Sequence, residues 1–323
     1  MMSSQTENLQ KQIAIQKALP ISLDVQPASK LEEELSITPF ISTKRGALFC
    51  LDAKKFLSSL PSESVNTVFT DPPYNIRKAE WDKFASLEDY KQWVHEWLVE
   101  CQRVLKPEGT MYLMGFSEIL AHVSVMAEQL FSSTRWLIWH YRNKPNMSDS
   151  DWVRSHEGIL HLRKSSSSPF YNEYIREPYN KHTKKYPERA QGKTSQYGNG
   201  KDHVWAPDNR GAKPRDVIDI PAISNGMKES TPHPTQKPEE LLRRLLLAVN
   251  RPGDLVVDPF GGSGTTYVVC EQLKLTWLGS ELEEDYCEMA TRRLTEVPEH
   301  DLAYWLQQDW KRQLHRQKVR AGK

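Results

Sequence analysis

The residues best suited to chemistry form a short loop, Asp71-Pro72-Pro73-Tyr74, which follows the β-rich run Ser64–Thr70. An aromatic exocyclic amine is a poor nucleophile because its lone pair is delocalised into the ring. The Asp71 carboxylate and the Pro72 carbonyl can hold both amine hydrogens, which favours the pyramidal form that attacks an electrophile. The prolines stiffen the loop, and Tyr74 can stack on a base taken out of a duplex. The bare loop is equally typical of an ordinary Pro-Pro turn.

A second motif, Asp258-Pro259-Phe260-Gly261-Gly262-Ser263-Gly264-Thr265-Thr266, predicts a strand that turns through glycines into a helix. Glu281 follows 23 residues after Asp258, where nucleotide-binding βαβ units carry the acid that binds ribose. The run matches neither a Walker A loop nor G-x-G-x-x-G. Without a phosphate-binding lysine, it favours a ligand with an adenosine and no phosphate, such as S-adenosylmethionine. A tight structural turn is the alternative interpretation.

These motifs resemble those of the amino-methylating DNA methyltransferases of bacterial restriction-modification systems and their solitary relatives. The loop at 71–74 is similar to their catalytic motif, and residues 258–266 are similar to their cofactor motif. The run His233-Pro234-Thr235-Gln236-Lys237-Pro238 is similar to a third motif. In the family this motif lies just before the cofactor strand and helps to bind the methionine end of the cofactor. The resemblance covers roughly Gly46 to Leu294.

The resemblance implies a set of site residues. The catalytic residues it implies are Asp71, Pro72 and Tyr74. The implied binding residues for S-adenosylmethionine are Asp52, Asp71, His233, Thr235, Gln236, Lys237, Asp258, Phe260, Gly262, Ser263, Gly264, Thr265 and Glu281. Among them, Glu281 is expected to bind the ribose and Asp52 to contact the adenine. Lys237 and the Thr235 hydroxyl can donate to the methionine carboxylate. No metal site is expected, since the four cysteines contain no C-x-x-C pair.

Strand and helix patterns alternate along most of the chain, which indicates an α/β fold: a mostly parallel, doubly wound, Rossmann-like methyltransferase sheet with an inserted target-recognition region. The predicted strands are 47–51, 64–70, 110–114, 135–141, 158–162, 255–257 and 276–279. The predicted helices are 53–60, 87–104, 117–130, 239–249, 266–273 and 285–294, with Ser117 as an N-cap. Both motif loops then lie at carboxyl ends of strands, where open α/β sheets place their sites.

The pattern breaks in the middle of the chain. Residues 176–215 carry 10 Lys/Arg against 4 Asp/Glu in a protein of net charge +1. Tyr179, Tyr186, Tyr197 and Trp205 are interleaved, and Lys184, Lys185, Arg189 and Lys201 are candidates for phosphate contact. The predicted segments are a loosely structured arm (1–45), a catalytic half (46–164), a target-recognition region (165–231), a cofactor-binding half (232–297) and a basic tail (298–323). The catalytic motif comes first along the chain, then the variable region, then the cofactor motifs, and this order resembles that of the β class of the family.

The predicted function is methyl transfer from S-adenosylmethionine to the N6 amine of adenine in a specific duplex sequence, with base flipping. Cytosine N4 methylation is the main alternative, although Ser-Pro-Pro-Tyr is more typical of β-class cytosine enzymes than the loop at Asp71. RNA methylation, protein-glutamine methylation and a non-catalytic DNA-binding protein are further alternatives. Expected partners are double-stranded DNA, a second copy in a homodimer, and a cognate restriction endonuclease. With no predicted membrane span, we expect a bacterial cytoplasmic, nucleoid-associated protein.

Overall fold

The structure is a computed structural model that describes residues 37–76, 82–143, 150–194 and 200–321. The described chain divides into two compact units. The larger unit contains residues 37–171 and 215–299, and the smaller one contains residues 172–214 and 300–321. Residues 1–36 of the predicted arm and Tyr197 lie outside the described residues. The smaller unit therefore combines part of the predicted target-recognition region with most of the predicted basic tail, and the predicted segment boundaries stay a prediction.

The strands of the described residues are β1 Ile41–Ser42, β2 Gly46–Cys50, β3 Val65–Thr70, β4 Leu105–Gly115, β5 Ser133–His140, β6 His156–Arg163, β7 Arg189–Gln191, β8 His203–Trp205, β9 Val217–Asp219, β10 Leu255–Asp258 and β11 Thr276–Glu281. Nine of them form the sheet of the larger unit, in the order β1-β2-β11-β10-β3-β4-β6-β5-β9. The neighbours from β2 to β4 are parallel, whereas β4, β6 and β5 are antiparallel. The α/β prediction is confirmed.

The helices are α1 Ala53–Ser59, α2 Leu87–Val104, α3 Ser117–Ala127, α4 Lys181–Lys185, α5 Glu239–Leu247, α6 Thr265–Leu273, α7 Glu284–Thr295 and α8 Leu302–Ala321. Helix α2 has the predicted bounds; Ser86 caps its start by accepting from the Asp89 N–H. The prediction of Ser117 as an N-cap is wrong: Phe116 occupies the cap position, and no side chain bonds there. The Ser117 hydroxyl instead lies 3.3 Å from His156 Nε2.

The central strands are apolar on both faces, as expected for parallel strands covered by helices. Val68 in β3, Val257 in β10 and Leu278 in β11 are all buried in one hydrophobic cluster. Strand β4 begins earlier than predicted because Leu105 already pairs with Val65, and the register then shifts so that Thr110 faces Thr67. The intervening residues, which include Pro107, therefore form an irregularity that leaves the following ladder intact.

The smaller unit pairs β7 with β8 and contains α4 and the long helix α8. The buried Arg176 guanidinium donates to the Gly211 carbonyl at 2.9 Å and lies 3.3 Å from an Asp208 carboxylate oxygen. Gln317 on α8 donates to the Pro178 carbonyl at 2.7 Å. Most of the predicted basic tail is thus a helix with contacts inside this unit. None of the helices in the described ranges is long and apolar enough to cross a membrane.

Candidate active site

The loop Asp71-Pro72-Pro73-Tyr74 begins where β3 ends, and neighbouring elements fix it on both sides. The Tyr90 hydroxyl on α2 donates to the Pro73 carbonyl at 2.9 Å. The buried Asp82 carboxylate accepts from the backbone N–H groups of Asn75 at 2.6 Å and Ile76 at 3.1 Å. Asn75 has a φ of 57°, a left-handed conformation that asparagine tolerates better than most residues. The backbone that follows Asp71 and Pro72 is therefore held in place before any ligand arrives.

A group of charged and polar side chains surrounds Asp71, and we call Asp71, Tyr74, Glu157 and Lys237 the carboxylate cluster. Lys237 Nζ lies 2.5 Å from Asp71 Oδ2 and 3.5 Å from Glu157 Oε2. The Tyr74 hydroxyl donates to Asp71 Oδ1 and lies 3.2 Å from Glu157 Oε2. The Lys237, Glu157 and Asp71 side chains are only 6%, 13% and 18% exposed. Two carboxylates thus share one ammonium in a poorly hydrated place.

The electrostatics of the cluster follow from this geometry. Burial alone lowers the pKa of Lys237, but Asp71 and Glu157 outweigh it, so the pKa lies above its ordinary value. Burial, reinforced by the same two carboxylates, raises the pKa of Tyr74 well above its ordinary value. The lysine is therefore charged and the phenol neutral at physiological pH. The cluster carries one excess negative charge when both carboxyl groups are ionised.

The glycine loop closes onto Glu281. The Gly262 N–H donates to Glu281 Oε2 at 2.7 Å, and the Glu283 N–H donates to Oε1 at 3.0 Å. Gly262 and Gly264 have φ values of 50° and 73°, which glycine adopts without steric cost. Burial raises the pKa of Glu281, although backbone donors oppose the shift. Each carboxylate oxygen keeps lone-pair capacity for a further donor, such as one of two vicinal hydroxyls.

Asp258 organises the start of the same loop. Its Oδ1 accepts from the Phe260 N–H at 3.0 Å, and its Oδ2 accepts from the Thr266 hydroxyl at 2.5 Å. Arg293 on α7 holds the other side: its guanidinium donates to the Ser263 carbonyl and to the Thr265 hydroxyl, each at 2.8 Å. Arg293 was not predicted as a site residue, because it lies 28 residues beyond Thr265 and no motif surrounds it.

The run His233–Pro238 has a partly structural role. The Gln236 side chain is buried; its Oε1 accepts from the Thr231 N–H at 2.8 Å, and its Nε2 donates to the Glu229 carbonyl at 2.5 Å. The His233 ring packs edge-on against Tyr286, with 4.5 Å between centroids. Burial lowers the pKa of His233 to about 4, so the imidazole is neutral near pH 7. Gln236 therefore braces the chain that leads into Lys237.

A cavity of about 310 Å³ brings these pieces together within the larger unit. Every predicted site residue except Gly264 lines it, including Asp52, whose carboxylate also caps α1 by accepting from the Lys54 N–H at 3.1 Å. Gly264 lies instead against Ala290 on α7. The lining residues that the sequence did not single out include Asp82, Lys83, Phe84, Trp93 and Tyr286. Glu157 is the main omission near Asp71, because only the pairing of β6 with β4 brings it there.

Comparison with known proteins identifies the family of this chain. Residues 65–292 match the family described as DNA methylase, which comprises N6 and N4 enzymes. This chain belongs to the N6/N4 DNA methylase family. The methylase is 34% identical over 261 residues to the Type II methyltransferase M.HpaI of Haemophilus parainfluenzae, covering 76% of this chain and 73% of that protein. It is 33% identical over 249 residues to the DNA adenine methyltransferase YhdJ of Escherichia coli K12, covering 75% and 80%.

Solved structures share the fold of the methylase. PvuII DNA methyltransferase, a cytosine-N4-specific enzyme, has a TM-score of 0.61 at 17% identity and covers 87% of this chain and 96% of its own. The M1.HpyAVI–SAM complex has a TM-score of 0.52 at 22% identity and covers 77% and 98%. At these identities the likeness concerns the fold. Together with the family match, it identifies the methylase as a DNA methyltransferase built on a Rossmann-like sheet.

The glycine loop of the methylase predicts a sharp difference between two substitutions. A Cβ at Gly264 would lie 2.6 Å from the Ala290 Cβ, and its φ of 73° is already unfavourable for alanine. We expect Gly264→Ala to lower the free energy of unfolding by about 2–4 kcal/mol, from backbone strain plus overpacking. Gly253→Ala is the matched control, because Gly253 has a φ of 92° but no atom within 4 Å of the new Cβ. Urea titration of both variants measures the difference, and equal losses would contradict the packing argument.

Asp258 predicts a pH effect of defined sign. Burial raises its pKa from 3.8 to about 7 in the folded methylase. Between these values the folded protein keeps a proton that the unfolded chain has lost, so this group's contribution to stability falls as pH rises through that window. We expect the unfolding free energy of Asp258→Asn, relative to wild type, to increase from pH 4 to 7 by no more than about 1.4 kcal/mol per pH unit. Denaturant melts across this range measure the change, and a flat difference would refute it.

Proposed function

We propose that this methylase transfers the methyl group of S-adenosylmethionine to the N6 amine of adenine in a specific duplex DNA sequence, after the base has been flipped out of the helix. One observation carries the proposal: a common cavity in which the Asp71 loop faces the glycine loop and Glu281. A methyl donor on the glycine loop and an amine held by the Asp71 loop would then meet in one place. Because the two loops lie far apart along the chain, only the fold brings them together.

The residues present fit the cofactor. The Glu281 carboxylate suits the ribose hydroxyls, Asp52 suits a donor on the adenine edge, and Phe260 and Trp93 provide aromatic surface in the same cavity. The Trp93 and Phe260 rings pack edge-on with 5.6 Å between centroids. When bound, S-adenosylmethionine would supply an electrophilic methyl group on a positively charged sulfur, and the bond between that carbon and the sulfur would break as the N–C bond forms. Five other predicted cofactor residues also line this cavity: His233, Thr235, Gln236, Ser263 and Thr265.

The protein's part in the reaction is to prepare the amine. Asp71 and the Pro72 carbonyl accept its two hydrogens, so the nitrogen lone pair is no longer shared with the ring as the N–C bond forms. The excess negative charge of the carboxylate cluster stabilises the positive charge that develops on the nitrogen. The proton released afterwards leaves by way of the Asp71 carboxylate. Tyr74 is buried against Phe116, with 4.9 Å between ring centroids, so its orientation is set before a base arrives.

Adenine is favoured over cytosine by two observations. The first is Asp71 itself at the start of the Pro-Pro-Tyr loop. The second is the similarity, at 33% identity, to a relative that is named a DNA adenine methyltransferase. The cytosine-N4-specific neighbour shares only 17% of its residues and supports the fold alone. Methylation of cytosine N4 by the same chemistry is the alternative that the experiment below distinguishes.

The proposal includes the partners and the place of action. Duplex DNA is the substrate, and the region 165–231, which contains the basic segment 176–215, is the proposed reader of its sequence. Relatives named Type II methyltransferases support a cognate restriction endonuclease that cuts the same site. We also propose that the protein forms a homodimer and acts on the nucleoid in a bacterial cytoplasm.

The test is methylation of unmodified genomic DNA by the purified protein with S-adenosylmethionine. Digestion to nucleosides followed by mass spectrometry should give N6-methyladenine and no N4-methylcytosine, and single-molecule sequencing should place the mark in one recognition sequence. A reaction without S-adenosylmethionine is the control. If N4-methylcytosine is the product, the proposal for adenine is wrong and the cytosine alternative is correct. Absence of any methylated base would overturn the proposal.

A further inference from the structure

The Asp71 carboxylate, which has to accept a hydrogen from the target amine, already has a donor on each oxygen. Lys237 Nζ lies 2.5 Å from Oδ2, and the Tyr74 hydroxyl donates to Oδ1. Both donors are buried, with Lys237 6% exposed and Tyr74 8% exposed. A buried donor that loses its acceptor costs about 1–3 kcal/mol, because water cannot replace the lost bond. Each oxygen of Asp71 has a second lone pair, but the two donors already draw on the charge of the carboxylate, so Asp71 accepts the amine hydrogen more strongly when one of these donors moves to another acceptor.

Glu157 is placed to receive them. It lies in β6, which neighbours β4 in the sheet. Strand β4 in turn neighbours β3, the strand that ends at the catalytic loop. Its Oε2 is 3.2 Å from the Tyr74 hydroxyl and 3.5 Å from Lys237 Nζ, so one oxygen is within reach of both donors. With its side chain 13% exposed, it has little water to compete for that position.

The exchange needs almost no movement. The Tyr74 ring is fixed edge-on against Phe116, and the Arg154 guanidinium covers the Phe116 ring at 3.9 Å from its centroid. A phenol proton can turn from one acceptor to another while its oxygen stays in place. Rotation of the Tyr74 proton from Asp71 to Glu157 frees Oδ1 for the amine, and Lys237 stays between the two carboxylates throughout.

We propose that Glu157 is a positioning residue for methyl transfer: it accepts the Tyr74 hydroxyl and shares the Lys237 ammonium, which frees an Asp71 oxygen for the hydrogen of the target amine. This inference rests on the proposed function. It assigns Glu157 no contact with the base or with the cofactor. Its effect therefore falls on the chemical step, whereas the binding of either ligand is left largely unchanged.

The first test is Glu157→Gln, which keeps the shape of the side chain and removes its charge. We expect kcat to fall about 10- to 100-fold, as for a buried donor left with a poorer acceptor. The Kd for S-adenosylmethionine and the KM for DNA should change by less than about 3-fold, because no binding contact is lost. Glu88→Gln is the matched control: Glu88 also pairs with a lysine, Lys91, but its side chain is 78% exposed. It should retain wild-type kcat.

A double-mutant cycle separates positioning from simple loss of structure. Tyr74→Phe keeps the ring and removes the hydroxyl that occupies Asp71 Oδ1. The kcat of the Tyr74→Phe single variant is measured as the reference for the double variant. In that background Glu157→Gln should lower kcat by less than about 3-fold, since no hydroxyl remains to be moved. Losses that add in the double variant, or wild-type kcat in Glu157→Gln, would overturn the proposal.

The wild-type reaction in the same assay distinguishes a failure of the proposed function from a failure of the proposed role of Glu157. Wild-type methylation together with an unaffected Glu157→Gln variant would remove the role of Glu157 alone. Absence of methylation by the wild-type protein would remove the proposed function and, with it, the role of Glu157. Unfolding by urea confirms that each variant is folded under assay conditions, so a loss of kcat reports on the reaction.

Discussion

Replacing Asp71 by alanine abolishes methyl transfer in our expectation and leaves S-adenosylmethionine binding largely intact. The carboxylate is the acceptor that localises the lone pair of the amine, and loss of one preorganised transition-state contact typically costs about 10²–10³ in kcat. Here the loss should be larger, because the variant also leaves Lys237 beside the site with only Glu157 to balance it. A positive charge nearer the attacking nitrogen opposes the charge that develops there. The measurement is single-turnover transfer of labelled methyl to DNA.

The control for this variant separates chemistry from folding. Glu96→Ala removes an exposed carboxylate of the same unit, one that pairs with Lys54 at 2.8 Å, and should retain wild-type turnover. Calorimetric titration with S-adenosylmethionine should give a Kd for Asp71→Ala within about 3-fold of wild type, since Glu281 and the glycine loop are unchanged. Methylation by Asp71→Ala at a rate within about 10-fold of wild type would sink the catalytic assignment. A large loss of cofactor affinity would show that Asp71 also serves in binding.

The sequence could predict most of the site because its motifs end strands. Thr70 and Asp258 are the last residues of two strands that the sheet makes neighbours, so their loops emerge on the same edge. Alternation of strands and helices predicts such an edge without any knowledge of strand order. The glycine loop and Glu281 meet for the same reason, since β10 and β11 are adjacent and parallel.

The carboxylate cluster could not be predicted in the same way. Glu157 approaches Asp71 only because β6 runs antiparallel to β4, and no local pattern around Glu157 encodes that pairing. Lys237 was predicted as a donor to the methionine carboxylate of the cofactor, and that contact stays a prediction; in the structure its ammonium lies 2.5 Å from an Asp71 oxygen and 3.5 Å from a Glu157 oxygen. Its third acceptor is the Thr235 carbonyl at 3.2 Å. A residue type and a motif can predict the kind of bond but leave the partner open, because the partner depends on tertiary contacts.

Lys237 therefore has the second large expected effect, which falls on stability as well as on activity. Its ammonium pairs with two largely buried carboxylates, those of Asp71 and Glu157. Removing one member of a buried ion pair leaves charge uncompensated and costs about 3–5 kcal/mol. We expect Lys237→Ala to lose about 3 kcal/mol of unfolding free energy near pH 7, and to lose methyl transfer because Asp71 and Glu157 then repel each other.

Urea unfolding of four proteins tests this account: wild type, Lys237→Ala, Glu157→Gln and the double variant. Removing the charge of Glu157 relieves the repulsion that Lys237→Ala creates, so the double variant should be more stable than Lys237→Ala alone. Calorimetry on the same proteins tests the role implied by the His233–Pro238 motif, for which Lys237→Ala should also weaken S-adenosylmethionine binding. An unchanged Kd would remove that role and leave Lys237 as the residue that holds the two carboxylates together. Wild-type stability in Lys237→Ala would contradict the ion-pair account itself.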